Sequence, residues 1–188
     1  MRNFIQISFD GTSYHGWQIQ ENAHTVQSEL NQALSTILRN EIQTTGCGRT
    51  DTGVHAAKFY AHFDAELLAE KIPDTVHQLN CLLPSDIAVK NIFVVDSNSH
   101  ARFDAVSRTY EYKIHSQKDP FLRQTAWFFP HDLDINFMNT FSEILLSHKD
   151  FSCFSKSRTQ TVTNICSITE AYWEQKEQVL LYRISANR

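Results

Sequence analysis

The stretch IQTTGCGRTDTGVHAAKFYAHF, residues 42–63, decides how this chain is read. Ile42 to Cys47 reads as a strand and Ala57 to Phe63 as a second one. Between them Gly48-Arg49-Thr50-Asp51-Thr52-Gly53 is a loop, because its glycines and short polar residues favour turns over either strand. Working towards the N-terminus, Thr25 is placed to cap a helix in which Val26, Leu30, Ala33, Leu34, Ile37 and Leu38 recur at helical spacing. Before it, Phe4 to Asp10 alternates Phe4, Gln6 and Ser8 against Ile5, Ile7 and Phe9, and Asp10-Gly11-Thr12 ends that strand in a turn. Towards the C-terminus, Leu67 to Leu82 is helical in part, with Pro73 suited to a first turn. Ile87 to Val95, rich in β-branched residues, is a strand.

The order is therefore β-α-β-β-α-β, a ferredoxin-like unit. A second series follows. Ser107 to His115 alternates with Tyr110, Tyr112 and Ile114 on one face. Ile135 to Leu146 carries Ile135, Met138, Phe141 and Leu145 at helical spacing. Ile165 to Trp173 and Val179 to Ile184 read as a hairpin around residues 174–178. The expected class is α+β: two ferredoxin-like halves, each an antiparallel sheet with flanking helices. The boundary is expected within residues 98–106, giving a half at 1–104 with the glycine-rich loop and a half at 105–188 with Tyr110. The second series stops a helix and a strand short of the first, so the second half is expected to be incomplete at its C-terminus.

Composition bounds the function. Of 188 residues, 41% are hydrophobic and 20% charged, an ordinary globular balance. No run approaches the ~20 apolar residues of a membrane span, and MRNFIQISFDG lacks the apolar centre of a signal peptide. Cys47, Cys81, Cys153 and Cys166 are scattered without C-x-x-C or Cys/His ligand spacing, as are the nine histidines. That pattern suggests buried, reduced thiols in a cytosolic protein and no zinc site. The formal charge of −4 argues mildly against a nucleic-acid partner. A local basic groove is still compatible with it, since screening over ~8 Å lets a patch act on its own. Arg102, Arg108, Lys113, Lys118 and Arg123 fall in one stretch that fits such a groove or an ordinary solvated face.

The chemistry concentrates in residues 46–56, GCGRTDTGVHA, where three of the five glycines lie within eight residues. Glycine permits positive φ and close approach of backbone to a ligand. Thr50 and Thr52 are expected to hydrogen-bond the backbone and hold the loop's shape. Asp51, a carboxylate on a stiff loop, suits a nucleophile or general base. An Asp-x-Gly turn in which Asp51 merely caps the local backbone fits the same spacing. The loop lacks G-x-x-x-x-G-K-[ST] and is no Walker-type phosphate loop.

GRTDTGVHA resembles the signature of the TruA-type pseudouridine synthases. FDGTSYHGWQIQ resembles that family's N-terminal strand and turn, TVQSELNQAL its first helix, and LNCLLPSDIAV its second helix and the strand after it. HARFDAVSRTYEYKI resembles the block with the active-site tyrosine, and HKDFSCFS a further block. The resemblance implies that Asp51 is the catalytic aspartate working at the ribose C1′ of a uridine. It implies that Tyr110 stacks on the flipped uracil and assists proton loss at C5, and that Arg49 holds the opened RNA stem. It implies a cytoplasmic homodimer acting on tRNA uridines 38, 39 and 40 of the anticodon arm, with no cofactor, no metal and no membrane. The family continues beyond Ile184-Ser185-Ala186-Asn187-Arg188 with a basic helix whose cation pairs with the aspartate. This too points to an incomplete second half. Two other readings compete. A ferredoxin-like unit with strand aromatics also describes a non-catalytic RNA-binding module of the RRM kind, although Lys58-Phe59-Tyr60-Ala61-His62-Phe63 lacks the Lys/Arg-Gly start of its central strand. A hydrolase using Asp51 and His55 has little support from a spacing of four outside a helix.

Overall fold

The computed structural model describes residues 1–154 and 163–187. The chain divides into two compact units, Met1–Asp104 and Ala105–Arg188. Ser155, the last residue of HKDFSCFS, and Arg188 lie outside the described residues.

The first unit runs β1 (Arg2–Phe9), α1 (Val26–Leu38), β2 (Thr45–Gly46), β3 (Ala56–Asp64), α2 (Ile72–Leu82) and β4 (Ile87–Val95). Its sheet has the order β2-β3-β1-β4 with every pair antiparallel. That is the βαββαβ plan. Alternation in β1 does what period two requires: Asn3, Ile5, Ile7 and Phe9 are buried and the residues between them are not. The buried face meets Val26, Leu30, Ala33 and Leu34 of α1 and Leu79 of α2 in one core.

α1 starts where its cap dictates. The Thr25 hydroxyl accepts from Ser28 N–H at 3.3 Å, and Thr25 N–H reaches back to the Ser28 hydroxyl at 3.3 Å. The helix ends at Arg39, which is left-handed at φ 52°. Thr25 is fully buried, so Thr25→Ala leaves the Ser28 amide without its acceptor. The expected cost is about 1 kcal/mol, a fall in Tm of roughly 3 °C, measurable by thermal denaturation.

The strand expected over Ile42–Cys47 forms only at Thr45–Gly46. The reason is that α1 takes the backbone before it. Thr44 N–H donates to Asn31 Oδ1 at 3.0 Å and Ile42 N–H to Ser35 Oγ at 2.9 Å. Side chains of the helix thus replace a neighbouring strand. Pro73 falls in the first turn of α2, after a 3₁₀ turn at Ala69–Lys71. Asn80 of α2 bonds both Val89 N–H and Val89 C=O, at 2.8 and 2.9 Å, on the edge strand β4. At the end of the unit the His62 ring accepts from Ala101 N–H at 3.1 Å. Burial, then the charge of Arg2, hold the His62 pKa below its ordinary value, which keeps that nitrogen an acceptor.

The second unit runs β5 (Arg108–His115), β6 (Trp127–Phe128), α3 (Ile135–Ser147), β7 (Ile168–Lys176) and β8 (Val179–Ala186), with sheet order β6-β5-β8-β7. Asp134 caps α3 by accepting from Phe137 N–H at 2.9 Å. β5, β8 and β7 are antiparallel, but the sheet is not wholly so: β6 lies parallel to β5, Ile114 opposite Trp127. Two residues carry no readable period, so β6 has no sequence signal. β7 begins at Ile168 rather than Ile165, because Cys166 N–H is spent on Lys149 C=O at 2.8 Å and Ser167 N–H on Asn187 Oδ1 at 2.9 Å. Tyr110, Tyr112 and Ile114 oppose Ile184, Tyr182 and Leu180 of β8, one face of the sheet. Ile114 is buried there while Tyr110 and Tyr112 are exposed.

The cysteines correct the expectation of buried thiols. Cys47 and Cys166 are half-buried, and Cys81 and Cys153 are exposed. Cys81 lies off the buried Thr75/Leu79 side of α2, one turn from His77, whose Nε2 is 3.7 Å from its Sγ. Among the described residues no helix is long and apolar enough to cross a membrane. No group of three His, Cys, Asp or Glu side chains among them converges as a metal site.

Candidate active site

Residues 46–56 join β2 to β3, and they do not stand alone. The segment after β1, residues 10–20, lies along them and fixes their path through backbone. Trp17 N–H donates to Thr50 C=O at 3.3 Å, and Gly53 N–H donates to Tyr14 C=O at 3.3 Å. Asp51 and Thr52 are thus the two residues between two pinned ones. A turn closes over them, with Val54 N–H on Asp51 C=O at 3.2 Å. Gly53, at φ 78°, supplies the positive φ.

The close pairing needs glycine on the other segment. A Cβ on Gly16 would stand 2.1 Å from Thr50 O, and one on Gly11 would stand 2.1 Å from Val54 O. Gly16 is also at φ 84°. Gly46 is kept bare for a different reason: a Cβ there would meet the Trp17 indole at 2.5 Å. Trp17 is buried, with its ring centroid 4.4 Å from that of Phe59. The segment is anchored in turn. Tyr14, buried, donates its hydroxyl to Asp86 Oδ1 at 2.6 Å. Burial first, and that carboxylate second, push the phenol well above its ordinary pKa.

On this frame Asp51 and Arg49 are both exposed, on one short loop. Thr50 corrects an expectation. Its hydroxyl is buried and has no hydrogen-bond partner among the described residues; the loop is shaped by the Thr50 carbonyl instead. His55 serves the frame. Its Nδ1 lies 3.1 Å from Gly11 N–H and 3.0 Å from Asp10 Oδ1. Without a proton that nitrogen accepts from Gly11, and with one it donates to Asp10, so both states have a partner. Hydrogen bonds from the Thr12 hydroxyl and amide hold the Asp10 carboxyl below its usual range, with His55 adding to them.

Tyr110 belongs to the second unit, on β5, with 53% of its surface exposed. An exposed ring on a sheet can serve as a stacking face. Of the basic run, Arg108 lies on the Tyr110 side of β5 and Lys113 on the opposite side, by strand alternation. Arg102 falls in the first unit and Lys118 and Arg123 beyond β5, so the run does not form one strip along a strand.

Sequence reasoning placed Asp51 and Arg49 on a loop but missed the residues that hold it: Tyr14, Gly16, Trp17 and His55 with Asp10. Part of the signal was present in GTSYHGWQIQ, residues 11–20, where two glycines and two aromatics sit in a segment too polar to be a strand.

No family model matches the chain. Comparison with known proteins gives relatives over its whole length. The tRNA pseudouridine synthase A of Bacteroides fragilis is 44% identical over 188 residues, which are 100% of this chain and 75% of that protein. That of Porphyromonas gingivalis is 42% identical over 191 residues, 100% of this chain and 75% of the relative. That of Bacillus subtilis is 37% identical over 193 residues, 100% and 77%. Identity of this order across both units, loop and flanking segment included, settles the kinship: the chain belongs to the tRNA pseudouridine synthase A family.

Proposed function

We propose that this protein converts uridine to pseudouridine in tRNA, at positions 38, 39 and 40 of the anticodon stem-loop, with Asp51 as the catalytic carboxylate. The observation that carries the reading is the Asp51 loop: an exposed carboxylate between two backbone-pinned residues, in a chain whose relatives are named for this reaction. The chemistry asks for little else. The glycosidic bond from C1′ to N1 of uracil breaks, the base turns, and C5 bonds to C1′ while its proton moves off. Atoms and oxidation state are conserved, so no cofactor enters. Residues 1–104 supply Asp51, as nucleophile at C1′ or as base on the ribose, and Arg49, which takes up the RNA where the base has left. Residues 105–188 supply Tyr110, whose ring holds the detached uracil. Stacking of this kind is worth ~1–3 kcal/mol per base, against a few kcal/mol for extruding the nucleotide. The working form is a cytoplasmic homodimer bound to tRNA.

The test is release of tritium from C5 of [5-³H]uridine-labelled tRNA by the purified protein. It is coupled to mapping of pseudouridine in the anticodon arm. Release with pseudouridine at 38–40 is expected. Binding without isomerisation would instead support the RNA-binding module, and free uracil would support a hydrolase.

Tyr110 separates two roles. Tyr110→Phe keeps the ring face. If the hydroxyl moves a proton in the reaction, turnover falls by roughly 10²–10⁴ while KM stays near wild type. Normal turnover in Tyr110→Phe leaves the tyrosine a stacking role, and normal turnover in Tyr110→Ala removes it from the site.

A further inference from the structure

Gln27 lies in the first turn of α1, half-buried, and its side-chain amide joins the two segments that frame the Asp51 loop. Its Nε2 donates to Thr44 C=O at 2.6 Å, one residue before β2 leads into the loop. Its Oε1 accepts from Ile19 N–H at 2.9 Å, in the segment laid along the loop. Its backbone N–H donates to Trp17 C=O at 3.0 Å. This amide is one of the donors that a helix start leaves without an intrahelical partner. The next bond outward is Trp17 N–H to Thr50 C=O, the residue before Asp51.

We propose that Gln27 is a positioning residue for the reaction. Its side-chain amide clamps both the entering strand and the flanking segment to the rigid start of α1, and so sets where the Asp51 carboxylate stands. The inference rests on Asp51 as catalyst. Helix packing does not call for a glutamine here. The core side of α1 is made by Val26, Leu30, Ala33 and Leu34, and the helix start is already capped by Thr25 and Ser28. What the glutamine adds is a donor and an acceptor at opposite ends of one planar group. They fit a carbonyl on one segment and an amide on the other. A catalytic group displaced by about 1 Å loses on the order of 10² in rate. Loosening either segment therefore acts on turnover before it acts on the fold.

The test uses Gln27→Met, which keeps length and removes both side-chain bonds, and Gln27→Glu, which keeps the acceptor and sets an oxygen against Thr44 C=O. Both leave the backbone amide of residue 27 in place. Expected is a fall in kcat of about 10- to 100-fold with KM within about threefold. Amide exchange should quicken at Trp17 and Gly53 and stay unchanged in the middle of α1. A merely structural role would move exchange in α1 as well and leave kcat alone in the folded fraction. Should Gln27→Met fail to fold, Gln27→Glu decides alone. Unchanged kcat, or exchange rising throughout the first unit, overturns the inference. An active Asp51→Asn overturns the catalytic assignment instead, while the exchange result still reads out the clamp.

Discussion

Asp51→Asn should abolish pseudouridine formation, lowering kcat by at least about 10⁴-fold while tRNA binding stays within about tenfold of wild type. The argument joins exposure to chemistry. Asp51 is solvent-exposed, so exchanging one carboxylate oxygen for an amide of equal size should shift folding stability by no more than about 0.5 kcal/mol. The pinning bonds on either side use the Thr50 carbonyl and the Gly53 amide, which the exchange leaves in place. What the amide cannot do is act as an anionic nucleophile at C1′ or take a ribose proton. Phosphate contacts come from cations and not from this carboxylate, so affinity is spared. The measurement is initial rate by tritium release beside tRNA affinity by filter binding. An Asn or Ala variant within tenfold of wild-type turnover would sink the assignment.

Why some of this was legible in the sequence and some was not has a physical basis. Period-two alternation in Phe4–Phe9 and helical spacing in Val26–Leu38 report burial on one face, so both elements were readable with their core sides. Residues 42–44 misled because strand propensity says nothing of which partner fills a backbone group. Asn31 and Ser35 of the helix filled those sites, and the strand shrank to Thr45–Gly46. β6 escaped because a two-residue parallel pairing depends on where the chain returns after Asp119 and Pro120 and not on its own residues. For the site, chemistry-bearing residues on a glycine-rich loop were visible locally. The frame was not, because Trp17 and Thr50 are far apart in sequence and meet through backbone atoms that every residue shares, and Gly11 meets the distant His55 ring through a backbone amide that every residue but proline carries.

Gly16→Ala is the substitution that probes that frame most directly, and its effect should be large on both stability and turnover. Two penalties combine at this position. At φ 84° the backbone is in the left-handed region, where an L side chain costs roughly 1–2 kcal/mol. The new methyl would also sit 2.1 Å from the Thr50 carbonyl oxygen, a backbone atom that cannot swing aside as a side chain can. One segment must move off the other, and the Trp17–Thr50 bond is the first to stretch. Together a loss of about 3 kcal/mol is expected, at the upper end of single substitutions. Because Asp51 follows Thr50, turnover in the folded fraction should drop by roughly 10². Gly53→Ala is the control. It shares the strained backbone, at φ 78°, but its Cβ would meet nothing within 4 Å, so only the conformational penalty of about 1–2 kcal/mol applies. Chemical denaturation and initial rates on both variants separate strain from overlap. If Gly16→Ala proves as mild as Gly53→Ala, the two segments are not held at the separation that fixes Asp51, and the frame is looser than its hydrogen bonds imply.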